Sequence, residues 1–531
     1  MKTRFFDILL FLLLGILTSA CSRQESLEQM RLLSQQKALL YPDYTDITMP
    51  CNIAPLNFYV LPPYKNYSIK VFGKKGDTLQ MKGRNFVKFN PQKWHQLLQE
   101  NRNGRLWVEM NLNSTGTETE KLSFYWDVRD SIDPYFACRL IEPSYQMSNL
   151  LQTIEYNLQE ASQRILFDNR LQTYGCVNCH TFAQTDGSHL VYHVRFNRTG
   201  TFIVRNDTIL RVDLKSSRFP QGGVYPTWHP NKKLIAFGTS SAYPFVHSKD
   251  IVRRTEVFDS LGDIIVYDID RNVILTDSRI SSDSVEETFP YWSWDGKYLY
   301  FCQSPNPPRD SLEDDVDYSK KIKYNLVRIA FDDKTNTFGQ IDTIVDFRIT
   351  GQTASFPRLT PDGRFLVFCL SDHGTFPIRH PESDLYLIDM TGSLPKDSNW
   401  IPASKDFWMK KMEQVNSPFT ESYHTFSSNG KWLMFSSKRE DNLYSRPYFT
   451  YVDSNGISSK PFLLPQRDPA FYLTFLKSYN VPEFAKIPAA ISAAKAKEMS
   501  LMPTIEVDSV LIDGQRITVY PLTTVSSLPQ L

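Results

Sequence analysis

The sequence predicts a mainly β protein built from repeated sheets of about four strands. The first observation is a pattern that occurs four times: an aromatic residue, a turn at Asp-Gly or an equivalent, and then alternating apolar residues. The four copies are Tyr225–Ser240, Phe289–Ser304, Phe356–Ser371 and Tyr423–Lys438. The second observation is the composition, because 32 Pro, 22 Gly and 13% aromatic residues favour short strands and tight turns over long helices.

The turns of the four copies are evenly spaced along the chain. The equivalent residues Lys232, Gly296, Gly363 and Gly430 follow one another at intervals of 64, 67 and 67 residues. One such interval holds a four-stranded sheet with its loops, and a fixed interval is typical of repeat architectures, whereas β-sandwiches do not repeat so evenly. Further strands are predicted after three of the copies, at Asp263–Asp268, Asn325–Phe331 and Asp384–Asp389.

The four segments resemble the WD40-like (PD40) repeats of TolB-type β-propellers, whose consensus is near F-P-x-W-S-P-D-G-K-x-L-x-F. The resemblance covers residues 176–480 and implies a propeller of five or six blades around a central channel. Propellers of this type also occur in peptidases with a separate hydrolase domain. The roughly 50 residues that follow the last predicted blade, 481–531, are too few for such a domain.

The charge balance excludes an electrostatic footprint for nucleic acid. The 531 residues include 59 Lys and Arg and 58 Asp and Glu, a net charge of +1. The hydrophobic fraction of 41% and the charged fraction of 22% are those of a folded globular protein. We find no Ser-His-Asp signature, Gly-rich phosphate loop or zinc-protease motif in the sequence. An electron carrier or a binding protein is therefore expected rather than an enzyme, and a haem-dependent enzyme is the remaining alternative.

The first 21 residues read as an export signal. Lys2 and Arg4 precede an apolar run at residues 8–17, which is too short to span a bilayer. Small residues then lead to Cys21, which resembles the lipidated Cys of a bacterial lipobox, although Thr18 stands where Leu is usual. We expect a lipid anchor at Cys21 in the cell envelope of a Gram-negative bacterium, at the outer membrane or the periplasmic face. Ordinary cleavage before Cys21, which would give a soluble exported protein, is the alternative.

Four further segments complete the predicted organisation. Residues 22–44 form a tether, and residues 45–145 form a small β-sandwich-like domain that contains a helix begun by Asn90 and Pro91. Residues 146–175 form a connecting helix, because apolar residues recur there at helical spacing. Residues 481–531 form a C-terminal helix and tail. Sandwich domains are common adhesive modules, so the first domain implies interaction rather than chemistry.

A chemical motif opens the first repeat. Residues 176–180 read C-V-N-C-H, the attachment motif of c-type haem. Thiols three residues apart on one helical turn reach the two vinyl groups of a haem, so Cys176 and Cys179 would form thioether bonds and His180 would be the proximal iron ligand. Export strengthens the hypothesis, since c-type haem is attached outside the cytoplasm. A thiol redox pair is one alternative, but such a pair usually lies in a βαβ context, which is missing here. A zinc site is the other, but no second nearby Cys pair completes four ligands.

The repeat points to a second iron ligand. Six residues after the turn, the other copies carry the small residues Gly238, Cys302, Cys369 and Ser436, whereas the first carries His193. His193 is therefore the predicted second axial ligand.

Other residues have alternative or supporting roles. His189 and His229 are the alternatives to His193, and Arg195 and Arg198 are candidates to contact the haem propionates. Cys51 and Cys138 are candidates for a disulfide in an oxidising compartment, whereas Cys302 and Cys369 are predicted to be free buried thiols.

These observations lead to two functional hypotheses. The first is an exported, lipid-anchored protein with one covalent haem c that acts in electron transfer or redox sensing, with an unidentified redox partner in the envelope. The second is a propeller that binds a protein or glycan partner, in which haem is structural or absent.

Overall fold

A computed structural model of the chain describes residues 39–519, except residues 63, 115–118, 144–149, 173, 196–197, 247–254, 309, 311–314, 349, 393–399 and 405. The predicted export signal, Cys21 and most of the predicted tether lie outside the described residues. The chain divides into two compact units. The N-terminal unit contains residues 39–131 with Leu158–Ser162 and Lys460–Leu476, and the second unit contains the remaining described residues.

Up to residue 131, the described part of the N-terminal unit is built from two sheets and one helix. Its elements up to residue 131 are Leu40–Tyr41 (β1), Ile47–Pro50 (β2), Phe58–Val60 (β3), Asn66–Phe72 (β4), Leu79–Arg84 (β5), Phe86–Val87 (β6), Pro91–Glu100 (α1), Arg105–Asn113 (β7) and Thr119–Arg129 (β8). The strand orders are β2-β8-β7-β4-β5 and β1-β3-β6. As predicted, Asn90 caps α1, and its side chain accepts a hydrogen bond from the Lys93 backbone N–H.

Aromatic packing forms the core of the N-terminal unit. The rings of Trp94 on α1 and Trp126 on β8 meet edge to face at 5.5 Å, and Phe89 packs on both. Each buried indole N–H has a backbone acceptor, the carbonyl oxygen of Ile53 for Trp94 and that of Tyr44 for Trp126. The helix is therefore fixed by apolar burial together with satisfied polar groups.

The second unit consists of six sheets, which we number as blades. Its first strands are Tyr135–Ile141 (β9), Gln152–Asn157 (β10) and Ser162–Asp168 (β11), followed by a 3-10 helix at Asn169–Gln172. Blade 1 consists of Cys176–Ala183 (β12), Asp186–Arg195 (β13), Gly200–Arg205 (β14) and Thr208–Asp213 (β15). Blade 2 consists of Val224–Trp228 (β16), Leu234–Val246 (β17), Thr255–Asp268 (β18) and Val273–Thr276 (β19). Blade 3 consists of Val285–Trp292 (β20), Tyr298–Pro305 (β21), Asn325–Asp332 (β22) and Thr337–Val345 (β23), with the helix Asp315–Lys321 (α2).

The chain continues in the same pattern. Blade 4 consists of Thr353–Leu359 (β24), Phe365–Ser371 (β25), Asp384–Asp389 (β26), Ile401–Pro402 (β27) and Trp408–Lys411 (β28), with a 3-10 helix at Pro377–Arg379. Blade 5 contributes Glu421–Phe426 (β29), Trp432–Ser437 (β30) and Arg446–Tyr451 (β31). Phe462–Leu463 (β32) and Phe471–Thr474 (α3) belong to the N-terminal unit. The last elements are Ser478–Ala485 (β33), Ala493–Met499 (α4), Ile505–Glu506 (β34), Ser509–Ile512 (β35) and Gln515–Ile517 (β36).

The two ends of the second unit meet in blade 6. Strand β33 pairs with β9, and β10 and β11 follow outward, so the strand order is β33-β9-β10-β11. The inner strands β12, β16, β20, β24, β29 and β33 lie against one another in succession, and β33 lies against β12. The ring is therefore closed, and the unit is a six-bladed β-propeller, which confirms the predicted fold class. The four sequence repeats form equivalent antiparallel hairpins in blades 2 to 5.

The predicted connecting helix at residues 146–175 is wrong. Residues 152–157 and 162–168 are strands β10 and β11, joined by a turn in which Ala161 has a positive φ of 48°. The apolar residues fit helical spacing only by coincidence. Four consecutive residues, Thr153 to Tyr156, are buried, as expected of a strand covered on both faces.

The C-terminal segment runs along the outer edges of two blades. Strand β34 pairs with β15 of blade 1, and β35 pairs with β19 of blade 2. Ser492 caps α4 by accepting a hydrogen bond from the Lys495 backbone N–H, so the predicted C-terminal helix is present and begins at Ala493.

Cys51 and Cys138 are both free and buried, so the predicted disulfide is not formed. Cys51 lies in the N-terminal unit and Cys138 lies on β9 of the propeller, each packed within its own core. Cys302 and Cys369 are free and buried, as predicted. Among the described residues, no helix combines the length and the hydropathy needed to cross a bilayer.

Candidate functional site

A cavity of about 160 Å³ lies among the inner strands of the propeller. Each inner strand has a bulge at which one non-glycine residue has a φ between 44° and 54°. These six residues, one from each blade, all line the cavity: Cys179, Tyr225, Phe289, Phe356, Tyr423 and Val481. Such a conformation is costly for bulky residues, and its sixfold recurrence indicates that the ring geometry determines it.

The aromatic members form a continuous arc on the cavity wall. Ring centroids are 4.8 Å apart for Tyr225 and Phe289, 3.9 Å for Phe289 and Phe356, and 5.0 Å for Phe356 and Tyr423. Phe376, from the loop after β25, adds a further ring at 6.1 Å from Phe289. The arc offers flat apolar faces to any molecule in the cavity.

Cationic side chains complete the lining. Arg139, Arg195, Arg358 and Arg379 line the cavity together with Lys438, against the two acids Glu142 and Glu483. Five cations against two acids favour an anionic ligand.

Two charged groups of the lining, Arg139 and Glu483, bear most directly on ligand binding. The Arg139 guanidinium has no hydrogen-bond or ion-pair partner in the described part of the chain. Burial raises the pKa values of Cys179 and Tyr423 and lowers that of His180; the charge of Arg139 opposes the first two changes and adds to the third. Burial raises the pKa of Glu483 to about 7, although Arg358, at 3.9 Å, opposes this change. Glu483 is therefore the acid in the cavity whose charge changes near neutral pH.

The C-V-N-C-H motif lies on the inner strand of blade 1. It belongs to β12, an extended strand, so the expected helical turn between the two thiols is wrong. Cys179 and His180 take the place of the aromatic-Pro pairs of blades 2 to 4, and His180-Thr181-Phe182 is equivalent to His424-Thr425-Phe426. Cys176, Cys179 and His180 all line the cavity. The bulge at Cys179 brings about this arrangement, since residues three apart on a regular strand face opposite sides.

His180 is the most unusual donor of this group. It is 5% exposed, and its Nε2 atom has no hydrogen-bond partner among the described residues. Burial lowers its pKa to about 4, the nearby carbonyl oxygen of Ala137 partly offsets this effect, and Arg139 adds to it. The imidazole is therefore neutral at pH 7, with a nitrogen available to a ligand.

A c-type haem matches these residues in chemistry but not in space. Two thiols and an imidazole with an unpartnered nitrogen are the donors that such a haem requires. The cavity, however, has about the volume of an engineered cavity that holds one benzene ring. A haem contains four pyrrole rings, so the cavity does not accommodate it as the side chains stand.

The other predicted haem residues lie apart from the cavity lining, except Arg195. His193 pairs with Asn178 across the hairpin, and its Nδ1 atom is hydrogen-bonded to Oγ1 of Thr201 at 3.1 Å. Burial lowers the pKa of His193 to about 3. Its position corresponds to that of Gly238 and Ser436, and the side chain is buried but is not part of the cavity lining.

The three remaining candidates are engaged elsewhere. Nδ1 of His189 is bonded to Asp186 and Ser188. The ring of His229 is bonded at Nε2 to the carbonyl oxygen of Gly296, and its Nδ1 accepts from the Asn231 backbone N–H. Arg198 donates to Oγ of Ser500.

Neither the aromatic arc nor three of the arginines beside it, Arg139, Arg358 and Arg379, could be recognised from the sequence. The first aromatic residue of each repeat was visible as part of the pattern, but the bulge that turns it toward the cavity is not readable from residue types. Arg139 could not be recognised from the sequence because its strand, β9, belongs to blade 6, which carries no copy of the repeat. The register pairs Asn480 with Arg139 as it pairs Ser422 with Ser436, so Arg139 occupies the same blade position as His193.

Comparisons with known proteins do not identify a family for this chain. No family model and no curated protein matches the chain. TolB from Acinetobacter baumannii is 12% identical over 72% of this chain and 79% of its own, with a TM-score of 0.38. An oligogalacturonate lyase in complex with manganese is 13% identical over 61% and 73%, with a TM-score of 0.33. Kuenenia stuttgartiensis hydrazine synthase is 10% identical over 66% and 93%, with a TM-score of 0.32. At such low identities and TM-scores, the propeller assignment rests on the sheet topology itself.

Proposed function

We propose that the propeller is a binding module whose central cavity takes a small anion with a flat apolar face. The observation that carries this proposal is the pairing of the aromatic arc with the excess of cations in one lining. Arginine recognises carboxylates through paired hydrogen bonds, and ring faces cover apolar surface. The volume of about 160 Å³ suits one ring, such as an acidic sugar unit at the end of a glycan or an aromatic carboxylate.

Isothermal titration calorimetry tests this proposal with pairs of ligands that differ in charge. Glucuronate is compared with glucose, and benzoate with benzamide. At least one acid is expected to bind tenfold or more tightly than its neutral partner. Equal affinities within both pairs, or no binding of any of the four, would contradict the proposal.

Arg139→Gln is the informative variant, because this guanidinium has no protein partner to lose in the described residues. It should weaken binding of the acid about tenfold and leave the neutral compound unchanged, since one charged hydrogen bond contributes about 1.5 kcal/mol or more. Arg271→Gln is the matched control, because Arg271 is half exposed in the turn between β18 and β19 of blade 2 and does not line the cavity. An equal loss in both variants would point to general charge rather than to the cavity.

A second candidate function is covalent haem attachment for electron transfer or redox sensing. The unpartnered Nε2 atom of His180 beside the thiols of Cys176 and Cys179 favours it, but the side chains of the cavity would have to move apart to admit the macrocycle. A bound haem would supply one-electron redox chemistry. The test is intact mass and haem stain after expression in a host that matures c-type cytochromes. The mass of one haem should be present in the wild type and in Cys302→Ala/Cys369→Ala, and absent from Cys176→Ala/Cys179→Ala. A wild type without added mass would exclude the haem.

The N-terminal sequence supports export and attachment to the envelope membrane through a lipid on Cys21. Intact mass of the membrane-extracted protein should then show cleavage before Cys21 together with a diacylglycerol modification. Cys21→Ala should release the protein into the soluble fraction. An unlipidated mature protein would favour ordinary cleavage.

A further inference from the structure

A second group of polar side chains lies apart from the thiol motif. Glu256 on β18 and two histidines from the loop after β25, His373 and His380, place one donor atom each within 4.8 Å of one another. Glu256 and His380 are buried, and His373 is half-buried. Two imidazoles and one carboxylate are a ligand set that divalent zinc uses in proteins.

The distances agree with a shared metal ion. Both carboxylate oxygens of Glu256 lie 3.3 Å from Nε2 of His380. Two ligand atoms at bonds of about 2.0–2.1 Å and a tetrahedral angle are themselves about 3.3–3.4 Å apart. The rings of His373 and His380 have centroids 4.5 Å apart with their planes at 85°, so both imidazoles border the same small space.

Two neighbouring residues, Glu382 and Gly374, help to arrange the three donor atoms. Nδ1 of His380 is 3.1 Å from Oε1 of Glu382, which is how a carboxylate orients a metal-binding histidine from behind. A Cβ atom at Gly374 would lie 2.5 Å from Nε2 of His380 and 3.4 Å from Oε1 of Glu256. The loop therefore approaches the donor atoms as closely as only glycine permits.

An ion pair without a metal would explain the positions of Glu256 and His380. Burial lowers the pKa of His380, but Glu256 and Glu382 outweigh this effect and raise it to about 9, so a protonated His380 can form an ion pair with both acids. That ion pair gives no role to His373. The His373 side chain forms neither a hydrogen bond nor an ion pair with any residue that the structure describes, and it still faces His380.

We propose that Glu256, His373 and His380 bind one divalent cation of the zinc type, with water as the fourth ligand. The site would adjoin the central cavity, because Val257, next to Glu256, and Phe376, between the two histidines, both line that cavity. The proposal does not depend on the anion-binding function, since none of its three ligands lines the cavity.

The full mature chain, stripped with a chelator and then dialysed, is titrated with Zn²⁺ by calorimetry and with Co²⁺ by absorption spectroscopy. One equivalent of Zn²⁺ should bind, and Co²⁺ should give the visible bands of a four-coordinate site with nitrogen and oxygen ligands. His373→Gln should weaken Zn²⁺ binding at least tenfold, and Glu382→Gln should weaken it by 10- to 100-fold. His189→Gln is the matched control, because His189 is also paired with a carboxylate but belongs to no group of three metal-ligating side chains among the described residues. It should bind Zn²⁺ as the wild type does.

His373→Gln is chosen because it leaves the pairs of His380 with both glutamates intact, so the variant is expected to fold. A thermal melt of each variant checks this, and excess Zn²⁺ should raise the melting temperature of the wild type but not that of His373→Gln. Absence of a stoichiometric site in the wild type, or unchanged Zn²⁺ affinity in His373→Gln, would overturn the proposal and leave the ion pair as the explanation.

Discussion

His424 illustrates how a single buried imidazole makes stability depend on pH. Its Nε2–H donates to the carbonyl oxygen of Val367 at 2.9 Å, and burial lowers its pKa to about 3. In the unfolded chain the same group titrates near pH 6.5. The contribution of His424 to stability is therefore complete above pH 6.5 and is lost as the pH falls toward 3, because only the unfolded chain then binds the proton.

His424→Gln should reduce this dependence on pH. Between pH 6 and pH 4, the free energy of unfolding of the wild type should fall more steeply than that of the variant, by about 1.4 kcal/mol per pH unit. Urea denaturation at several pH values measures the two slopes. Parallel slopes would mean that His424 is protonated in the folded protein as well.

Glu483 should make anion binding weaker as the pH rises. Its pKa is raised to about 7 by burial, so it is neutral in acid and negatively charged above neutrality. A like charge about 10 Å from a bound anion costs about 1.7 kcal/mol at an effective dielectric constant of 20. The affinity for the anion should thus be roughly tenfold higher at pH 6 than at pH 8. Glu483→Gln should bind with the same affinity at both values, and calorimetry that finds the wild-type change in this variant would exclude Glu483.

At the scale of elements, the hairpins of blades 2 to 5 were predictable because their turn residues and their alternation of apolar residues are local signals. The strands β9, β10 and β11 were not, because they have no copy of the repeat and their partner β33 is distant in sequence. The same limit applies to the site. Cys176, Cys179 and His180 were recognised from spacing alone, but a bulge on a strand, not a helical turn, brings them to one cavity.

The start of β13 should be sensitive to a single added methyl group. A Cβ atom at Gly187 would lie 2.3 Å from the carbonyl oxygen of Ile487 and 2.7 Å from that of Pro488. Backbone atoms cannot rotate away as a flexible side chain does. Gly187→Ala should therefore lower the free energy of unfolding by about 1–3 kcal/mol, as measured by urea denaturation.

Gly238→Ala on β17 is the control for this substitution. A Cβ atom at Gly238 would lie 3.4 Å from its nearest neighbour, which is an ordinary contact. The equivalent positions of blades 3 to 5 carry larger residues, Cys302, Cys369 and Ser436. It should be neutral or slightly stabilising, because alanine costs less backbone entropy than glycine in a strand. Equal losses in both variants would show that Gly187 is not in close contact with residues 487 and 488.

At the scale of the whole molecule, closure of the ring depends on a strand near the C-terminal end. A chain that ends at residue 477 lacks β33 and leaves β9 without its inner neighbour. It should lose the cooperative unfolding transition, whereas a chain that ends at residue 503 keeps six blades and loses only the outer strands β34, β35 and β36. Thermal unfolding followed by circular dichroism distinguishes the two. A cooperative transition in the shorter chain would show that five blades suffice.

The pairing of β9 with β33, which closes the ring, also sets an order of events during synthesis of the chain. Tyr135 on β9 pairs with Ala485 on β33, 350 residues later. At a synthesis rate of about 5–20 residues per second, the earlier strand is made roughly 20–70 s before its partner. During that time one edge of a nascent sheet has unsatisfied amide and carbonyl groups, the template on which foreign strands aggregate. A chain that crosses a membrane before it folds would avoid this exposure in the cytosol, and a chaperone on the far side would have this edge to protect until the last blade is complete.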